Sequence, residues 1–301
     1  MKTTLKANSS FSTRGRLRRT ALTCLLASTL AAAFGPAATA AEPAGAAALP
    51  PTANAAALAP PDVSTVMYSI YQIDGKGADS YEVANGSIAT FWFGHAFELG
   101  GTRYYTGFTW DTRERYGKPG EDEVGPGTQV NLAEATYTQT GSSPERPWQF
   151  RGMKHSVGEF GAYEKPEDVD TRRKPVDFRT PGGKLLLAVP TEGFDNGISF
   201  TGYALLVFNP AGPDEGAGWT YVGSINTGED NSAACAEGDV MPCVASSGEL
   251  VFSAHGGSDM PRVTVKRSGT EIAGPDKTRQ LGAGDTLTYA YDTATKKYVE
   301  K

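Results

Sequence analysis

Histidine is nearly absent from this chain, with only His95, His155 and His255 in 301 residues. That scarcity excludes centres built from several histidines and leaves few forms of imidazole acid–base chemistry. Cysteine is just as scarce, since Cys24, Cys235 and Cys243 are the whole complement, too few for a disulfide framework or an all-cysteine zinc site. No phosphate-cradling glycine loop, no His-Glu-x-x-His helix and no Gly-x-Ser-x-Gly elbow occurs in the sequence. Nucleotide-dependent, zinc-peptidase and α/β-hydrolase chemistries therefore lose their usual signatures. Nothing in the chain calls for a cofactor or a metal, and no residue stands out as catalytic.

Acidic residues are missing from the first forty positions, where Lys2, Lys6, Arg14, Arg16, Arg18 and Arg19 precede an apolar run from Thr20 to Phe34 that ends at Ala38-Thr39-Ala40. This is the pattern of an export signal cleaved near residue 40, and Cys24 falls inside the discarded leader. Arg18-Arg19 suits either the general or the twin-arginine route. The run is too short to span a bilayer, and no later stretch reaches the roughly 20 apolar residues a spanning helix needs. The expected product is exported, periplasmic or extracellular, with no transmembrane segment.

Without the leader, 28 − 6 = 22 basic residues face 34 acidic ones, a net charge of −12. Such a surface repels phosphates, which excludes nucleic acid as the main partner. A hydrophobic content of 39% and an aromatic content of 10% suffice for a true core. Residues 41–62 are an Ala/Pro-rich linker, in which Pro43, Pro50, Pro51 and Pro60 interrupt any helix. The folded region is expected to run over 63–301.

Helical periodicity is almost missing from that region, whereas strand signals recur. Ser80–Ala84 leads through Asn85-Gly86 into Ser87–Leu99, and Gly100-Gly101 turns the chain into Thr102–Trp110, which predicts an antiparallel meander. Alternation places Phe91, Phe93, Phe97 and Leu99 on one face, and Ile88, Trp92 and Ala96 on the other. Further strands are predicted at 129–138, 184–189, 198–209, 219–226, 249–254, 262–267 and 286–291. The fold class is all-β: an antiparallel β-sandwich or jelly roll. A second Asn-Gly pair, at Asn196-Gly197, again separates strands, and Tyr105-Thr106-Gly107 matches Tyr221-Val222-Gly223. This raises the alternative of two tandem related modules. The charged, proline-rich stretch 166–183 reads as a surface excursion or internal division, with Arg172 the first expected trypsin site, or Arg173 if Arg172 is protected.

Cys235 and Cys243, eight positions apart in an exported chain, are expected to form a disulfide. His95 reads as a core or edge histidine bonded to backbone, and His155 as a turn residue. His255 has Ser253, Ser258 and Asp259 near it, the parts of a hydrolytic triad in superficial form only, because triad members generally come from separate elements. Acidic clusters at Glu121-Asp122-Glu123, at Asp214-Glu215, and at Glu229-Asp230-Asn231 with Glu237 and Asp239 lack the spacing of a calcium loop. Trp92, Trp110, Trp148 and Trp219 form the pool for a sugar-stacking patch, with Trp148 the least committed to an apolar alternation. The leading expectation is a protein that binds a protein or glycan ligand. A carbohydrate-active enzyme of jelly-roll type, using two carboxylates, is the alternative. A tethered structural module of the cell surface comes third.

Overall fold

The structure, a computed structural model, describes residues 58–115, 124–141, 146–211 and 218–301. The leader, most of the Ala/Pro-rich linker and the clusters at Glu121-Asp122-Glu123 and Asp214-Glu215 lie outside these residues.

The first element is a helix, which the sequence reading did not anticipate. In α1 (Val63–Tyr71) the Asp62 carboxylate accepts from the Thr65 N–H at 2.8 Å and caps the N-terminus, while Val66, Met67 and Ile70 are buried. Two turns are too short to repeat a period of 3.6, and the Val, Thr, Tyr and Ile in α1 are strand formers by propensity. Tertiary burial overrides that preference.

Three antiparallel sheets follow. Sheet 1 is β1 (Ser80–Glu82), β2 (Ile88–Leu99), β3 (Thr102–Asp111), β4 (Val130–Gln139) and β5 (Trp148–Phe160), paired in chain order. Sheet 2 comprises β6 (Asp168–Val169), β7 (Val176–Arg179), β8 (Leu185–Asp195), β9 (Ile198–Asn209) and β10 (Gly218–Asp230), with β9 central between β8 and β10. The short β6 and β7 share the outer edge of β8. Residues 166–183 thus contribute two strands to sheet 2. Sheet 3 is β11 (Ser246–Ser253), β12 (Arg262–Gly274), β13 (Lys277–Leu281), β14 (Leu287–Asp292) and β15 (Lys297–Glu300), in the order β11-β12-β14-β15 with β13 on β12.

The all-β sandwich is present with an extra layer. Leu185 to Val189 and Ala204 to Leu206 are buried at every position, which requires cover on both faces of sheet 2. Leu185, Leu187, Leu206, Phe208 and Trp219 face Phe97, Phe108, Leu132 and Phe160 of sheet 1. On the other side, Leu186, Ala188 and Leu205 face Leu250, Val263 and Val265 of sheet 3. A third, smaller cluster joins Val66 and Ile70 of α1 to Tyr105, Ala133 and Ala135 on the outer face of sheet 1.

One alternation is corrected by the structure. A bulge at Trp92 shifts the β2–β3 register between Phe91 and Phe93. Phe91 therefore packs on the helix side, while both Trp92 and Phe93 pack toward sheet 2. The two Asn-Gly segments do form comparable meanders, but as facing layers of one unit. Tyr221 enters their shared core just before a bulge in β10, whereas Tyr105 faces α1. Their registers do not coincide.

Candidate functional site

The histidines are dispersed. His95 stacks along β2 between Phe93 and Phe97, and its Nε2 meets Asp177 Oδ1 of β7 at 3.0 Å, so its partner is a carboxylate and not backbone. His155 lies in β5 and not in a turn; its carbonyl accepts from Asn131 Nδ2 at 2.6 Å. His255 is exposed on the loop between β11 and β12. The triad arrangement is not assembled, because Asp259 is engaged by the Gly182 N–H at 2.6 Å and by Lys184 Nζ at 3.0 Å, and Ser258 Oγ accepts from the Met260 N–H.

Cys235 and Cys243 are joined, with Cα atoms 5.2 Å apart. Buried Asn231 holds the same loop: its Nδ2 donates to Pro242 O at 3.0 Å and its Oδ1 accepts from the Val244 N–H at 2.8 Å. Asp230 is occupied by the Ser232 N–H, which holds its carboxyl below the usual range. Among the described residues no three His, Cys, Asp or Glu side chains converge as metal ligands would.

The tryptophans are committed to packing. Trp219 is fully buried and donates from Nε1 to Thr106 Oγ1 at 2.9 Å. Trp92 and Trp110 pack on the first core, and half-buried Trp148 donates to Ala59 O. Glu134 of β4 places a carboxyl within this core, only 2% exposed. Burial pushes its carboxyl up to about 7, against hydrogen bonds from Thr136 and the Trp219 N–H and the nearby positive charge of Lys154. A one-way chain satisfies it: Trp219 Nε1–H donates to Thr106 Oγ1, Thr106 to Thr136 at 2.8 Å, and Thr136 to Glu134 Oε2 at 2.6 Å.

Among the described residues Tyr68, Phe150, Tyr163 and Phe194 are exposed aromatics, and the last two line a groove of about 700 Å³ where β5 ends beside the β8–β9 hairpin. Its lining includes Phe194, 68% exposed, and Tyr163, 51% exposed. Phe194 precedes the two-residue turn Asn196-Gly197, where both φ angles are positive. Tyr163 and Glu164 both adopt left-handed φ, 52° and 56°, in the tight Ala162–Lys165 turn, a costly choice for residues other than glycine. The surroundings enforce it: the Tyr163 N–H donates to Gly125 O and the Glu164 N–H to Thr128 O, while Arg115 grips the Glu164 carboxylate. Gly161 permits the turn, since a Cβ there would overlap the Lys165 carbonyl.

Glu167, Asp168, Glu192 and Asp195 also line the groove. Trp92 Nε1 donates to the Glu167 carbonyl at 3.1 Å, and Thr191 Oγ1 to its carboxylate at 2.8 Å. Asp168 pairs with Lys165 and Glu192 with Arg172. Beside the groove, Asp170 ties residues 166–183 to the sheet. Desolvation of its carboxylate is outweighed by hydrogen bonds from Arg172 and Arg173, which hold it at about 2. Arg173 continues to the carbonyls of Thr191 and Gly202 and lies over the Tyr203 ring at 4.8 Å.

Sequence reasoning missed Phe194 and Tyr163. The available signal was an aromatic residue placed next to a turn motif, in Gly-Phe-Asp-Asn-Gly and Gly-Ala-Tyr-Glu-Lys-Pro. No protein-family model, curated protein or solved structure matches this chain.

Proposed function

We propose that this chain is an exported binding protein whose protein or glycan ligand occupies the groove between Tyr163 and Phe194. The observation that carries the reading is two large aromatic rings exposed to solvent, Phe194 near the end of β8 and Tyr163 in a hydrogen-bonded turn, the latter at the expense of backbone strain. Exposed aromatics on a preformed concave surface are a costly arrangement for a protein that binds nothing. The Cys235–Cys243 disulfide supports an oxidising compartment. Among the described residues no helix is long and apolar enough to cross a membrane.

The carboxylates of the groove favour binding over hydrolysis, because Asp168 and Glu192 are each paired with a basic neighbour, Glu167 accepts from Thr191 and Asp195 accepts from Asn196 Nδ2. A glycosidase needs one acid free to protonate and a second free to attack or activate water.

The test measures retention of the mature protein on immobilised envelope polysaccharides and proteins, beside Phe194→Ala and Tyr163→Ala, with soluble reducing ends counted in parallel. Retention weakened by both substitutions, without release of sugar, is expected. Retention indifferent to both would remove the groove from consideration. Sugar release lost in Glu167→Gln or Glu192→Gln would replace binding with catalysis.

A further inference from the structure

We infer that the ligand of this groove is a neutral glycan; the inference rests on the groove being the binding site and adds the chemical class. Four observations converge. Phe194 and Tyr163 present ring surface to solvent, which suits the C–H face of a pyranose as well as any apolar partner. Beside the rings, the lining includes Gln129, Glu167, Ser224 and Asn226, whose side chains offer the donors and acceptors that a ligand dense in hydroxyls demands.

A peptide that binds by strand addition would instead need a free strand edge. At this end the outer edge of β8 is already taken, because Asp168 and Val169 of β6 pair with Glu192 and Thr191.

Charge decides the remaining choice. The lining carries four carboxylates and one cation, Lys165, which is itself paired with Asp168. Among the described lining residues, no cation remains to hold a uronate, sulfate or phosphate, and the chain as a whole is negative. Anionic sugars are therefore repelled on approach and unpaired on arrival.

The experiment screens the full mature chain on an array of neutral and acidic microbial and plant glycans. Hits are followed by calorimetry at low salt, with hexamers of glucose, N-acetylglucosamine and galacturonic acid as reference probes. We expect a neutral glycan to bind and Phe194→Ala to weaken it by about tenfold, with the thermal midpoint unchanged because the ring is exposed. The galacturonate hexamer should give no heat. Phe194-dependent binding of an acidic glycan as tight as that of any neutral one overturns the neutral class and leaves the groove in place. Phe194-dependent binding of a protein with no neutral glycan bound overturns the glycan class, again leaving the groove. Neutral glycan binding untouched by both Phe194→Ala and Tyr163→Ala overturns the groove and the inference together.

Discussion

Replacing Glu134 with glutamine should shift stability in the variant's favour as pH rises from mildly acidic to alkaline. Buried between two sheets, the carboxyl is raised from an ordinary 4.5 to about 7, so the folded chain holds a proton that the unfolded chain has released. Below the unfolded value both states are protonated, and Glu134 contributes no pH dependence. As pH rises from about 4.5 to 7 the unfolded state ionises first, and stability falls. Above 7 the loss levels off at about 3 kcal/mol, at ~1.4 kcal/mol per pH unit. Glutamine cannot ionise; its Oε1 can accept from Thr136, but its Nε2 then faces the Trp219 N–H, a cost that is the same at every pH. Urea unfolding of both proteins at pH 5 and pH 8 gives the comparison. The gap between variant and parent should open by about 2 to 3 kcal/mol in the variant's favour, and the difference of differences cancels every other titrating group. An equal gap at both pH values would refute the reasoning, since the buried carboxyl would then not titrate in that window.

Other outcomes follow from the same physics. Tyr163→Asn places a residue that tolerates left-handed backbone at a strained position, so unfolding free energy should hold or rise by about 0.5 kcal/mol while ligand retention falls; a loss of stability would mean that the ring packs on the body of the protein. In the parent, Arg172 is 73% exposed at the side chain but its N–H and guanidinium are tied to Asp170. Asp170→Asn should therefore make Arg172 the first trypsin site at neutral pH, and equal cleavage of parent and variant would deny the tie. Because the Asp170 carboxyl is lowered from 3.8 to about 2, the stability it lends is present above 3.8 and is lost as pH falls through 2, a loss that Asp170→Asn should abolish in acid titrations. The Cys235→Ser/Cys243→Ser pair should cost about 2.5 kcal/mol, the loop-entropy value for some nine residues, yet keep the parent far-ultraviolet spectrum because Asn231 still holds the loop; global unfolding would show that the bridge does more than close one loop.

The strands were legible because their signals are local. Asn196-Gly197 and Gly100-Gly101 supply the positive φ angles that two-residue hairpins need, and the flanking apolar runs supply pairing partners. The β9 boundaries expected at 198 and 209 match the structure. β5 escaped because Gly152 and Gly158 and two register shifts against β4 break its alternation, and α1 escaped because nine residues cannot display a period. The groove escaped for another reason: Gln129, Tyr163, Phe194 and Asn226 are up to 97 positions apart, and no local pattern states that they meet.

The amino-acid sequence by itself determined the all-β class, the pairing of Cys235 with Cys243 and the hairpin turns, since each depends on residues within a few positions of one another. Tertiary structure alone decided that sheet 2 is covered on both faces, that the tryptophans are spent on packing while Phe194 and Tyr163 stay in solvent, and that Glu134 is enclosed between sheets. Burial depends on which surfaces meet across the whole chain, and that is a property of the packed layers and not of any segment within them.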